Sequence, residues 1–209
     1  MRVRQALAVL LLAPALGCSG AGDEGGAGAG AAEGRSAAPS SLATQVGDPT
    51  LRAELLGMLA ADQHERVSEP VESWDDEART RRLAEIIDER GWPTRDLVGA
   101  DAATAAWAIA QHSDLDVEFQ ERALGLMREA VAAQQADASE LAYLEDRVAS
   151  NRGRPQIYGT QIGCVDGHAE PAELAEPDRV DELRAEVGLG PLADYLDELE
   201  PACAAEATG

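Results

Sequence analysis

The stretch Ala102–His112, AATAAWAIAQH, decides how the rest of the chain is read. It is apolar nearly all round and carries no formal charge from Ala102 to Gln111. A helix without a polar face has no side to show to water, so it is expected at the centre of a helical domain. Working outward from it, Ser113 with Asp116 fits a capping box opening a helix over about Leu115–Gln134. Asp137 with Glu140 repeats the device, and the helix it opens stops near Gly153. On the other side, Asp48-Pro49 pairs an N-cap with a proline at the first helical position. Leu51, Leu55, Met58 and Leu59 then follow at helical spacing to about Val67, before Glu69-Pro70 breaks the helix. A further helix spans about Trp74–Arg90, ended by Gly91 and Trp92-Pro93.

After Pro155 the character changes. Gln156–Ile162 reads as extended and Asp166-Gly167 as a hairpin turn, predicting a small two-stranded ribbon. Asp178 starts another helix, Gly188 ends it, and Pro191 starts a last short one. The fold class expected is mainly α, a single domain over residues 47–200 of about six to seven helices with one β-hairpin. Residues 201–209 are expected as a C-terminal tail.

Arg2 and Arg4 precede an apolar run, Ala6–Leu16, too short to span a bilayer, so residues 1–17 read as a signal peptide. It ends in Ala15-Leu16-Gly17-Cys18, which resembles a bacterial lipobox with Cys18 as the lipidation site, although Leu is more usual where Ala15 stands. Ser19 is not the aspartate that retains lipoproteins at the inner membrane, which favours the outer membrane in a Gram-negative cell. Residues 18–46, rich in Gly, Ala and Ser, cannot bury a core and read as a flexible tether. The expected location is the bacterial cell envelope, with the membrane contacted through the lipid anchor only.

All 17 basic residues are Arg, which excludes a Schiff-base lysine and the Gly-Lys-Ser/Thr phosphate loop. A net charge of -22 argues against nucleic-acid partners. Once Cys18 is lipidated, Cys164 and Cys203 are an even pair in an oxidising compartment and are expected to form a disulfide. No His-Glu-x-x-His, Cys-x-x-Cys, Gly-x-Ser-x-Gly or Gly-x-Gly-x-x-Gly occurs in the domain. His112-x-Asp114-x-Asp116 has a spacing that suits three metal ligands and equally a helix cap. No metal and no cofactor is expected.

One set of polar residues does not look like surface filling. Gln111 and His112 end the apolar helix, with Ser113 and Asp114 following at once. Gln120 lies on the next helix, Asp146 and Arg147 end another beside Tyr143, and Gln156, Tyr158 and Gln161 surround Gly159. Asp62, Gln63 and Arg66 share one turn of the first helix. The candidate catalytic residues are His112, Asp114 and Asp146. The candidate ligand-binding residues are Gln111, His112, Gln120, Arg147, Gln156, Tyr158 and Gln161. Each also has a structural explanation. His112 at a helix C-terminus suits the dipole, Asp114 suits a cap, and Asp146 and Arg147 suit ion pairs with other elements. Gln156–Gln161 suits edge-strand pairing with a bulge at Gly159.

From about residue 50 to 197 the chain resembles a family of bacterial proteins known only as a domain of unknown function. The resemblance rests on Asp62-Gln63-x-x-Arg66, Gly91-Trp92-Pro93-Thr94, Leu97-Val98-Gly99, Gln111-His112-Ser113-Asp114, Gln120, Asp146-Arg147, Gln156-x-Tyr158-Gly159-Thr160-Gln161 and Arg184-x-x-x-Gly188-Leu189. It implies a shared fold and no activity. Cys164 and Cys203 stand outside the pattern. Three functions follow as expectations. The first is an envelope domain binding a polar small molecule, peptide or glycan fragment in a cleft around His112. The second is a hydrolase with His112 as general base, oriented by Asp114 or Asp146. The third is a structural protein with a buried polar network.

Overall fold

The computed structural model describes residues 47–67 and 75–208. The expected signal peptide, Cys18, the tether and the Glu69-Pro70 break lie outside them. The domain is mainly α-helical with one hairpin. Its helices are α1 (Pro49–Val67), α2 (Asp76–Arg90), α3 (Arg95–Val98), α4 (Ala100–Gln111), α5 (Val117–Ala132) and α6 (Ala138–Asn151). The hairpin strands β1 (Ile162–Val165) and β2 (His168–Pro171) follow, then a 3-10 turn at Pro177–Arg179, α7 (Val180–Glu186) and α8 (Leu192–Thr208).

α4 is the central helix that its composition predicts. Every residue from Ala102 to Gln111 except Thr104 is buried, and the helix packs against α1, α2, α3, α5 and α6. Its alanines let five neighbours approach closely. Leu55, Leu83, Ile86, Val98, Met127 and Leu144 supply the bulk around it. The caps at both ends of this core follow the sequence: Asp48 accepts from Leu51 N at 3.0 Å, and Asp137 from Ser139 N at 3.0 Å. Gly91, at φ +75°, sends its N–H to the Ile87 carbonyl, closing α2.

Four local expectations give way. The cap of α5 is Asp116, which accepts from Phe119 N at 2.9 Å, while Ser113 Oγ turns back to the Ile109 carbonyl at 2.8 Å. Glu140 does not reach back to its cap, because Thr104 of α4 donates to it at 2.5 Å. Gln156–Gln161 forms a loop, not a strand; its one β-bridge is Gln156 with Leu174, and backbone hydrogen bonds to Glu173, Ala175 and Ala172 run beside it. The last helix is not short. α8 runs through Pro201, which withholds the N–H that would reach the Asp197 carbonyl. That loss is outweighed by the alanines around it and by the Cys164–Cys203 disulfide, which holds its last turns to the hairpin. Cys203 is buried with Ile162 and Ala169, and Tyr195, Leu196 and Leu199 pack on the same cluster.

The hairpin pairs Ile162 with Pro171 and Val165 with His168. Asp166 and Gly167 both take positive φ, 52° and 86°, as a two-residue primed turn requires. Among the described residues no helix is long and apolar enough to cross a membrane.

Candidate functional site

His112 caps the C-terminus of α4, and its imidazole meets α1. His112 Nδ1 lies 3.0 Å from each carboxylate oxygen of Asp62, fifty positions earlier. Asp62 is fully buried and also accepts from Gln63 Nε2 at 2.8 Å and from Arg66 Nε and Nη2 at 3.1 and 3.0 Å. Arg66 Nη2 continues to Asp76 at 2.8 Å, and Arg79 joins Asp76 to Glu65 at 2.9 and 2.7 Å. Burial by itself would raise the Asp62 carboxyl. The His112 hydrogen bond, its charge when the ring is protonated, and Arg66 together outweigh it and hold the group at about 2.

An ionised Asp62 decides the tautomer of its partner. A bare nitrogen lone pair 3.0 Å from two carboxylate oxygens would be repelled, so Nδ1 carries the proton and donates it to Asp62. Arg66 Nε, 3.1 Å from Nδ1, then spends its hydrogen on Asp62. In the neutral imidazole the opposite ring nitrogen, Nε2, then keeps its lone pair, and it has no hydrogen-bond partner among the described residues. The side chain is 10% exposed.

Beyond His112, Asp114 accepts from Asn151 Nδ2 at 2.8 Å and from Gln120 Nε2 at 3.2 Å. Gln120 is fully buried and also binds the carbonyls of Ala110 and Gln111, the last turn of α4. Arg147 reaches Asp114 only at 3.7 Å. Burial pulls its guanidinium below the usual arginine value, and Asp114 opposes this while the like charge of Arg66 adds to it. Gln111, His112, Asp114, Gln120 and Arg147 therefore form one neighbourhood at the end of α4, continuous with Asp62 and Arg66.

Asp146 faces elsewhere. Fully buried, it accepts from the N–H groups of Ile157, Tyr158 and Thr160 at 2.7, 3.1 and 2.9 Å and from Thr160 Oγ1 at 3.0 Å. The loop 156–161 thus wraps a carboxylate with its own backbone. Gly159, at φ +64°, permits the bend, and a Cβ there would press Leu174 and Leu192 at 3.1 and 3.2 Å. Gln156 and Gln161 close the loop on each other, with Gln161 N donating to Gln156 Oε1 at 2.7 Å and Gln156 Nε2 to the Gln161 carbonyl at 2.9 Å. Arg184 Nη1 donates to the Tyr158 carbonyl at 2.9 Å, and its guanidinium sits 5.3 Å over the Tyr195 ring. Gln156, Tyr158 and Gln161 hence belong to a loop built around Asp146; the Gln156 and Gln161 amides and the Tyr158 backbone are engaged within it or on neighbouring elements.

The structure adds residues that the sequence reading left out of the site. Asp62 and Arg66 are the partners of His112. Their signal was the i,i+4 acid–arginine pair on α1, and nothing local connects that pair to residue 112. Trp107 and Tyr143 meet edge-on with centroids 6.2 Å apart, one turn before Gln111 and Arg147 respectively. Two surface depressions, about 390 Å³ beside α1 and α2 and about 240 Å³ beside the disulfide, hold none of the expected site residues. Among the described residues no group of three or more His, Cys, Asp or Glu is arranged to hold a metal ion.

A family model described as a family of unknown function (DUF6624) matches residues 49–207, and the chain belongs to that family. No curated protein and no solved structure matches the chain significantly.

Proposed function

Because membership of this family brings no activity with it, we propose from the geometry that the domain is a hydrolase with His112 as general base. The observation that supports it most is the Asp62–His112 pair: a buried carboxylate holds Nδ1–H and leaves Nε2 with a free lone pair. Asp62 is the positioning residue, in the role the sequence reading gave to Asp114 or Asp146. Nε2 takes a proton from a water molecule as the water oxygen bonds to a substrate carbonyl carbon. When the tetrahedral adduct collapses, the same proton passes from Nε2 to the leaving nitrogen or oxygen. Arg147 sits nearby to hold the substrate's anionic group. Ser113 is a poor nucleophile, since it is buried and donates to the Ile109 carbonyl.

The test is hydrolysis of a panel of simple esters and amides by the full-length protein. His112→Ala should lower turnover by about 100-fold or more, the usual contribution of a positioned base, with the melting temperature within a few degrees of wild type. Asp62→Asn should lower it too, because an amide oxygen no longer fixes the tautomer. Turnover unchanged in His112→Ala, or no turnover by wild type on any member, would remove the reading.

We further propose that this domain works in the cell envelope, tethered through a lipidated Cys18. Support comes from the lipobox-like Ala15-Leu16-Gly17-Cys18 and from the Cys164–Cys203 disulfide, a bond suited to oxidising compartments.

A further inference from the structure

Two contacts fix how α4 and α6 face each other. Thr104 Oγ1 donates to Glu140 at 2.5 Å, across 36 positions of sequence. The Trp107 and Tyr143 rings meet across the same separation. Constant separation means that the two helices run parallel and in register. One turn further on, that register sets Gln111 opposite Arg147, and beyond them Asp114 meets Asn151 at 2.8 Å.

Along this seam three polar atoms are shut away from solvent without a hydrogen-bond partner among the described residues: Trp107 Nε1, Gln111 Oε1 and Arg147 Nε. Trp107 and Gln111 are only 2% and 5% exposed. Orphaned buried groups are uncommon because each forfeits its hydration without replacement. Those on Arg52, Arg79 and Trp92 lie on other elements, and Ser150 Oγ, also unpartnered, lies on α6 one turn beyond Arg147. Here three gather on facing turns, and they form a set: two N–H donors and one carbonyl acceptor. The Arg147 guanidinium has Asp114 only at 3.7 Å, and Asp114 Oδ1 already serves Gln120 and Asn151. Its charge is left undersatisfied, which favours an anion over a neutral carbonyl.

We propose that Trp107, Gln111 and Arg147 form a binding subsite for a carboxylate carrying a neighbouring N–H, as in an N-acylated amino acid. The carboxylate oxygens accept from Arg147 Nε and Trp107 Nε1, and the amide N–H donates to Gln111 Oε1. This deepens the hydrolytic reading, since His112 follows Gln111 directly and would face the acyl carbonyl, but binding at the subsite does not require turnover.

The test uses N-acetylglycinate, acetate and inorganic phosphate as probes, read by the indole N–H resonance of Trp107 in the full-length protein and assigned by its loss in Trp107→Phe. N-acetylglycinate should shift this resonance saturably, at concentrations about tenfold lower than acetate, one hydrogen bond's worth. Gln111→Leu should erase the difference between the two, and Arg147→Gln should weaken both. His112→Ala should leave the shift in place. No saturable shift by any probe would overturn the proposal and make internal water the occupant of the seam. Equal binding of N-acetylglycinate and acetate, or tighter binding of phosphate, would overturn the assigned chemistry, and these outcomes need only the wild-type protein. A shift without turnover of any substrate would sink the hydrolase and keep the subsite, and turnover without a shift would do the reverse.

Discussion

Replacing Asp146 with alanine should be among the most destabilising single changes in the domain. The carboxylate accepts from three backbone N–H groups and one hydroxyl, all on the loop 156–161. A buried donor left unpaired costs roughly 1–3 kcal/mol, so four held in place would cost roughly 4–12 kcal/mol. Two effects reduce this. Burial pushes the Asp146 carboxyl above its usual range despite the amides, so removing it relieves a charge that was costly to bury. The Thr160 hydroxyl can also rotate to another acceptor. The net expectation is about 3–5 kcal/mol, a large share of the roughly 5–15 kcal/mol that holds a domain folded. Asp146→Asn keeps one acceptor oxygen but turns an amide N–H toward donors, so it should cost about half as much. Urea denaturation reads this directly as a lower midpoint at unchanged slope. A loss below about 1 kcal/mol for Asp146→Ala, with the loop amides still protected from exchange, would refute the loop-clasp account.

Other outcomes follow from groups described above. Asp62, held at about 2 against an ordinary 3.8, contributes stability that is full above pH 4 and lost as pH falls toward 2; about 2 kcal/mol should disappear over that window in wild type and not in Asp62→Asn. Glu140 behaves oppositely: burial raises it to about 7, so the native state holds its proton while the unfolded chain gives it up, and stability falls as pH climbs from 4.5 to 7. Glu140→Gln should therefore melt later than wild type at pH 8, by about 2 kcal/mol after allowing for its partial exposure, and no later at pH 4. Cys203→Ala opens a loop closed across 39 positions and should cost about 3–4 kcal/mol, measured against wild type with and without reductant. Cys18→Ser should lose the partition into detergent expected of the wild-type protein, and equal partition of the two would remove the lipid anchor.

What the sequence disclosed was whatever is decided within a few residues. The Ala102–Gln111 run had to be buried, Asp48 and Asp137 had to cap, and Asp166-Gly167 had to turn, because each rests on a local period or on backbone chemistry. Asp116 displaced Ser113 as a cap because the helix begins two residues later than its pattern suggests, and Ser113 then finds the Ile109 carbonyl. Partnerships between distant segments were not legible. Asp62 and His112 were both noticed, yet only the packing of α1 on α4 says that they touch. Asp146 and Arg147, helix neighbours that diverge by about 100°, were expected to form ion pairs with other elements; Arg147 lies 3.7 Å from Asp114, whereas Asp146 is held by loop amides and not by a cation. The length of α8 escaped because Pro191 marks a start, Pro201 reads as an end, and the disulfide that overrules the proline lies outside any helical pattern.

The clasp on Asp146 also bears on how the molecule opens. The amides of Ile157, Tyr158 and Thr160 are bonded to Asp146 of α6 rather than to the hairpin that follows, so they exchange when α6 loosens. Tyr195 of α8 donates to the Thr160 carbonyl, and the Cys164–Cys203 bond ties the far end of α8 to β1. Segments that a reader of the sequence would place in the fraying C-terminal third are thereby joined to the opening equilibrium of a core helix. Hydrogen exchange should find Ile157, Tyr158 and Thr160 protected as long as the amides of α6, one cooperative unit assembled from pieces that are not contiguous in the chain.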